Sequence, residues 1–367
     1  MQKVLEKLIG LFLVILELEE IIDYGNVADH KFATGAPKVV PDCNRRSLLR
    51  EEWIDEFFDT KTDPKGHGFN LVDQSISGFA CYSFIPKVDV PIKVIVLDNT
   101  QSETDGSTDI HGHGFLDKPR WDWLKAELAA GQEANQLMII AAHIPICVSS
   151  IGSETEWWAD ESNVEKNAVS LKEFVGTLQD TPNLLMWIAG HRHLNTVKAF
   201  ISPNPNKPWQ GFWQVETSSL RDFPQQFRTF EIYLNSDYTI SIVTINVDPA
   251  VAPGTPAATS RKYAIAAQQI VKNVLILNNP NCSTVNDIPV PSMDTTRLQS
   301  GNLSKSDPHC DPDPLLKTDP TIQFVDLSKQ GVPYNASYNA ELFKQLSPEM
   351  AGILKAQYPL IKHSYPE

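Results

Sequence analysis

Apolar residues recur along this chain with two different periods, and the alternation between them organises most of the sequence. "PIKVIVLD" (91–98), "QLMIIAAHIPI" (136–146) and "NLLMWIA" (183–189) are short, nearly continuous apolar runs, the first rich in β-branched residues, the pattern of strands buried on both faces. Between them lie "KPRWDWLKAELAAG" and "NAVSLKEFVGTLQD", whose apolar positions fall at helical spacing. In the first of these, Pro119 sits near the start, Trp123, Leu124 and Leu128 point inward, and Gly131 follows the end, which are helix start and stop signals. Strand, helix, strand, helix, strand predicts parallel β-α-β units and an α/β fold. "GFWQVET", "FRTFEIYLN" and "YTISIVTINV" alternate and predict an antiparallel portion with a hairpin tip at Asn235-Ser236-Asp237.

Outside this block the texture differs. "RRSLLREEWIDEFFDT" predicts an amphipathic helix starting at Ser47, with Leu48, Trp53, Phe57 and Phe58 on one face, and "FACYSFIP" predicts an edge strand. "APGTPAATSRKYAIAAQQIVKN" predicts one helix, and "NAELFKQL" and "PEMAGILKAQY" predict short terminal helices separated from it by a Pro/Asn/Asp-rich wrap. Three stretches result: an apolar segment and loop over 1–35, a main domain over 36–250, and an extension over 251–367. "LIGLFLVIL" near the start has the apolar centre of an export signal, but acidic "ELEE" replaces the small-residue cleavage site. It is too short to span a bilayer, which leaves a cytoplasmic or an exported location open.

Composition narrows the partners. The 367 residues carry a net charge of −14, which argues against nucleic acid or an anionic membrane surface as the principal partner. The five cysteines, at 43, 81, 147, 282 and 310, form no C-x-x-C pair, leaving only Cys282 with Cys310 as a pairing to consider. Oligomeric state is not encoded in any of these patterns.

Chemistry concentrates at the predicted strand ends, where open α/β sheets bind their ligands. Asp98 ends the first parallel run, His143 the second, and His191 and His193 follow the third across Gly190. Imidazole ligates zinc, iron and manganese as the neutral base. Gly190 is expected to allow a close backbone approach. Asp98 is expected to orient ligands or a loop rather than bind metal. His111 and His113 in "DIHGHGF" and His67 in "KGHGFN" lie in glycine-flanked loops, where they are candidates for the substrate side of a site.

"AAHIP", "AGHRH" and the intervening "GFLDKPRWDWLKAEL" resemble the later half of the calcineurin-like metallophosphoesterases, and "FACYSF" and "VETSSLRDFPQQFRTFEI" are similar to a bacterial subgroup of that family, over roughly 36–264. The resemblance implies a metallophosphoesterase-type β-sandwich flanked by helices, incomplete at its N-terminal side. It also implies a small phosphoester substrate and two divalent ions drawn from manganese, iron and zinc. Transferred by position, His143 and His191 would hold one ion and His193 the other, with Arg192 turned away. Two such ions about 3.5–4 Å apart would activate a bridging water for in-line displacement at phosphorus. The family's opening D-x-H, G-D and G-N-H motifs are not found: "DYGNVADH" breaks the last of them at Val27, and His30 cannot replace it. Without the bridging carboxylate nothing offsets the repulsion of two dications. The sequence therefore predicts a weakly active or inactive hydrolase, with the early motifs lost or encoded upstream. A metal-free remnant of the fold and a mononuclear zinc hydrolase are the alternatives.

Overall fold

The computed structural model describes residues 44, 46, 48–100, 114–146, 169–191, 193, 195–277, 324–326 and 339–359. His30, His111, His113, Arg192, the apolar segment near the start and every cysteine except Cys81 lie outside them.

Seven strands form the main sheet: β1 (Tyr82–Phe84), β2 (Ile92–Leu97), β3 (Leu137–Ala142), β4 (Leu184–Ala189), β5 (Thr196–Phe200), β6 (Phe212–Glu216) and β9 (Phe324–Asp326), in the order β1-β2-β3-β4-β6-β5-β9. The three apolar runs are neighbouring parallel strands, as their pattern predicts: Leu97 pairs with Ala142 and Ile140 with Trp187. β1 is an antiparallel edge strand on β2. A second sheet contains β7 (Phe227–Leu234), β8 (Ile240–Val247) and β10 (Asn339–Lys344) in the order β10-β8-β7, antiparallel throughout. The fold is mixed α/β.

Three sequence expectations are corrected here. "GFWQVE" does not join the two strands after it. It enters the main sheet between β4 and β5, parallel to β4 and antiparallel to β5. "NAELFK" is not a helix but strand β10, because its residues alternate between solvent and core. Gly131 lies inside its helix, not beyond it.

The α-helices described are α1 (Arg50–Glu56), α2 (Lys118–Glu133), α3 (Leu171–Gln179), α4 (Pro256–Leu277) and α5 (Pro348–Gln357). The Asp117 carboxylate caps α2 by accepting from the Arg120 N–H, and the Ser170 hydroxyl does the same for α3 at Glu173, satisfying donors a helix start leaves open. α1 starts one turn later than Ser47 would place it, with the Glu52 carboxylate accepting from the Leu49 N–H at 2.9 Å. Its predicted apolar face is only partly covered: Ile54 is buried, while Trp53 stays half-exposed against Phe57 and Phe69.

The main sheet buries both faces. Under α2 and α3 lie Ile95, Met138, Ile140, Leu184 and Trp187 with Trp121, Leu124 and Phe174. On the opposite face Ile139, Met186, Val197 and Val215 meet Ile240, Ile242 and Leu342 of the small sheet, joined by Leu346, Met350 and Leu354 from the tail. Two buried layers on one sheet fix which strand ends point to a common rim, and the candidate residues lie there.

Candidate functional site

β3 and β4 are adjacent and parallel, so the residues that follow them emerge side by side. The ladder continues one step past the strands, with the Gly190 N–H donating to the His143 carbonyl at 2.8 Å. The rings of His143 and His191 then meet edge to face, their centroids 5.2 Å apart. His193 is seated elsewhere on the same rim. Its ring stands edge-on to Phe223 at 4.6 Å, with Nδ1 3.5 Å from Oδ2 of Asp222.

The backbone carrying these rings is left-handed at His191 (φ 81) and His193 (φ 56). That conformation costs a non-glycine residue about 1–3 kcal/mol and tends to cluster at functional sites. Gly190 plays a smaller part than the sequence led us to expect. A Cβ placed there would lie 3.6 Å from Nδ1 of His143, an ordinary contact.

Burial sets the protonation of the cluster. Desolvation pushes the His143 imidazole below its usual value, helped by the nearby His193 and opposed by the Glu216 carboxylate. His193 is lowered by burial first, against the pull of Asp222 and Glu216 and with a further push from Arg221. Both rings are therefore held toward the neutral base near pH 7, with a lone pair to offer.

Two acidic members of this rim escaped the sequence reading. Glu216, wholly buried, ends β6 and accepts from the Thr196 hydroxyl at 2.9 Å. Asp222 lies in the loop beyond it. A strand-end rule would have found Glu216 had its strand been read as parallel.

The other expected residues have separate surroundings. The Asp98 carboxylate faces Arg120 at 3.4 Å and Arg50 at 3.8 Å, and accepts from the Thr100 N–H and hydroxyl, the work of a loop organiser. His67 contacts Phe57, with ring centroids 5.6 Å apart, and lies 3.4 Å from the Thr60 hydroxyl.

Whether these residues fit a metal centre is answered by the donor set. Among the described residues no group of three or more His, Cys, Asp or Glu side chains is arranged to hold an ion. A catalytic zinc needs three protein ligands, and a two-ion centre needs more. The described rim therefore presents a paired His143–His191 and a His193 facing a carboxylate, which do not fit either centre.

Fold and site together define a mixed α/β protein with an imidazole cluster at the carboxyl ends of parallel strands. No protein-family model matches the sequence, and no curated protein sequence does. Among solved structures the chain is similar to a dimetal phosphatase from Danio rerio, at 13% identity and a TM-score of 0.34, over 52% of this chain and 64% of that one. It thus spans less than two thirds of that structure's length. Among the described residues no helix is long and apolar enough to cross a membrane.

Proposed function

We propose that this chain has the scaffold of a calcineurin-like phosphoester hydrolase and that the residues described hydrolyse a small phosphoester weakly or not at all. The observation that carries the reading is the contact of His143 with His191 at adjacent parallel strand ends, in a rim whose acidic and imidazole groups do not, among the described residues, complete a ligand set. The motif resemblance of "AAHIP" and "AGHRH" supports the phosphoester class.

The chain's own residues account for a limited part of such chemistry. Neutral His143 and His193 can accept a proton or offer a lone pair. Arg221, close enough to depress His193 and itself exposed, suits a phosphate oxygen. In a complete relative the metal pair would supply the activated water and neutralise charge at phosphorus.

Metal content and turnover test this together. The purified chain is expected to hydrolyse an aryl phosphate, in manganese or zinc, several orders of magnitude more slowly than a complete family member. His191→Ala should change that residual rate little, because a ligand removed from an unassembled site loses almost no transition-state stabilisation. Brisk turnover abolished by His191→Ala would overturn the reading and direct attention to Asp98, His30, His111 and His113. About two bound ions per chain would mark a complete centre, about one a mononuclear zinc hydrolase, and none the non-catalytic remnant.

A further inference from the structure

The corner that carries His143 is fastened by two buried side-chain amides from other parts of the main sheet. Regular pairing cannot continue through "HIPI", because Pro145 has no N–H to give. The gap is filled from the side. On one flank Asn99, 1% exposed, donates from Nδ2 to the Ile144 carbonyl at 2.9 Å and accepts at Oδ1 from the Ile144 N–H at 3.2 Å. Since Leu97 pairs with Ala142, Asn99 stands opposite Ile144 in register, and its amide replaces a peptide of the ladder. On the other flank Gln214 of β6, fully buried, accepts from the Ile146 N–H at 2.7 Å.

The peptide plane joining His143 to Ile144 is thereby held at both ends. Its carbonyl accepts from the Gly190 N–H and its N–H donates to Asn99. Asn99 is itself held in place: Nη1 of buried Arg120 donates to the carbonyls of Asp98 and Thr100, on either side of it, at 2.9 and 3.0 Å. With that plane held, rotation about the His143 Cα–C bond is restrained, and the backbone angle in turn limits the rotamers open to the ring.

We propose that Asn99 and Gln214 are positioning residues for His143, setting the angle at which its imidazole meets His191. The inference deepens the reading of the same rim, but its test needs neither turnover nor metal.

The experiment is nuclear magnetic resonance on the full nitrogen-labelled chain at about pH 8, above the ordinary imidazole value. It follows the imidazole nitrogens of His143 and the exchange of the Ile144 and Ile146 amide hydrogens. Asn99→Leu should speed Ile144 exchange by about tenfold to a hundredfold, the loss expected for a buried hydrogen bond. It should also move the His143 nitrogen signals and leave those of His67 in place. Asn99→Asp keeps the acceptor for the Ile144 N–H but sets an oxygen where Nδ2 met the Ile144 carbonyl, so protection and the His143 signals should return only part of the way toward the parent. Gln214→Leu and Gln214→Glu make the same comparison at Ile146 and serve if Asn99→Leu does not fold. His143 signals that stay put while Ile144 or Ile146 loses protection would overturn the proposal, leaving the amides as structural ties. Unchanged exchange in the leucine variants would overturn it as well, by showing that the bonds do not hold the corner. Brisk phosphoester hydrolysis by the parent chain would sink the weak-activity reading and leave this one standing.

Discussion

A histidine whose folded form resists protonation makes stability depend on pH with a definite sign. The values of His143 and His193 lie below the ordinary imidazole value of 6.5 in the folded chain, so below that pH the unfolded chain binds more protons. Their contribution is fully present above pH 6.5 and is lost as the pH falls through the lowered folded values. The urea midpoint should drop across that window, and His143→Leu should flatten the drop; equal slopes in parent and variant would contradict it. Lys344, 3% exposed, donates to the carbonyls of Trp209 and Gly211, and burial pushes its ammonium down from 10.5 to about 7. Stability should accordingly rise between about pH 7 and 10.5, and Lys344→Met should abolish that rise in a comparison of melting temperatures. The placing of the three histidines beyond parallel strand ends was legible because each follows an apolar run. Glu216 was not, since nothing in "GFWQVE" encodes the direction of its strand, and Asn99 was not, since its task depends on a register that only pairing reveals.

Elements were readable where period and burial agree. β2, β3 and β4 are apolar on both faces because helices cover one side and the small sheet the other. β10 misled because its last two residues invert the usual rule, with Phe343 60% exposed and Lys344 buried. Helix α2 holds a further test of packing against propensity. Gly131 faces Met138 of β3, and a Cβ there would stand 2.4 Å from its sulfur and 3.1 Å from its Cγ. Alanine in a helix interior gains about 0.5–1 kcal/mol over glycine, but overpacking a core costs about 1–3 kcal/mol. Met138 is wholly buried, with little room to yield, so Gly131→Ala should lower the denaturant midpoint. A higher midpoint would mean that the helix and strand separate more readily than their contact implies.

At the scale of the molecule, the part of the chain hardest to read turns out to close the second core. Residues beyond 250 looked like an extension, yet β10 pairs along the whole of its length with β8, and Leu342, Leu346, Met350 and Leu354 fill the space beneath the main sheet. A chain ended before Asn339 should lose near-ultraviolet circular dichroism and aggregate, because the second core would lose the part of its cover that Leu342, Leu346, Met350 and Leu354 supply. Retention of a sharp cooperative melt by that truncation would show the tail to be dispensable. The pairing also has a bearing on synthesis. Asn246 donates its N–H to the side chain of Asn339, 93 residues later, so β7 and β8 leave the ribosome long before the strand that seals them. Until Leu354 has been added the nascent chain leaves part of one face of its main sheet uncovered, a stretch of translation in which a chaperone that shields apolar strands has its longest opportunity to act.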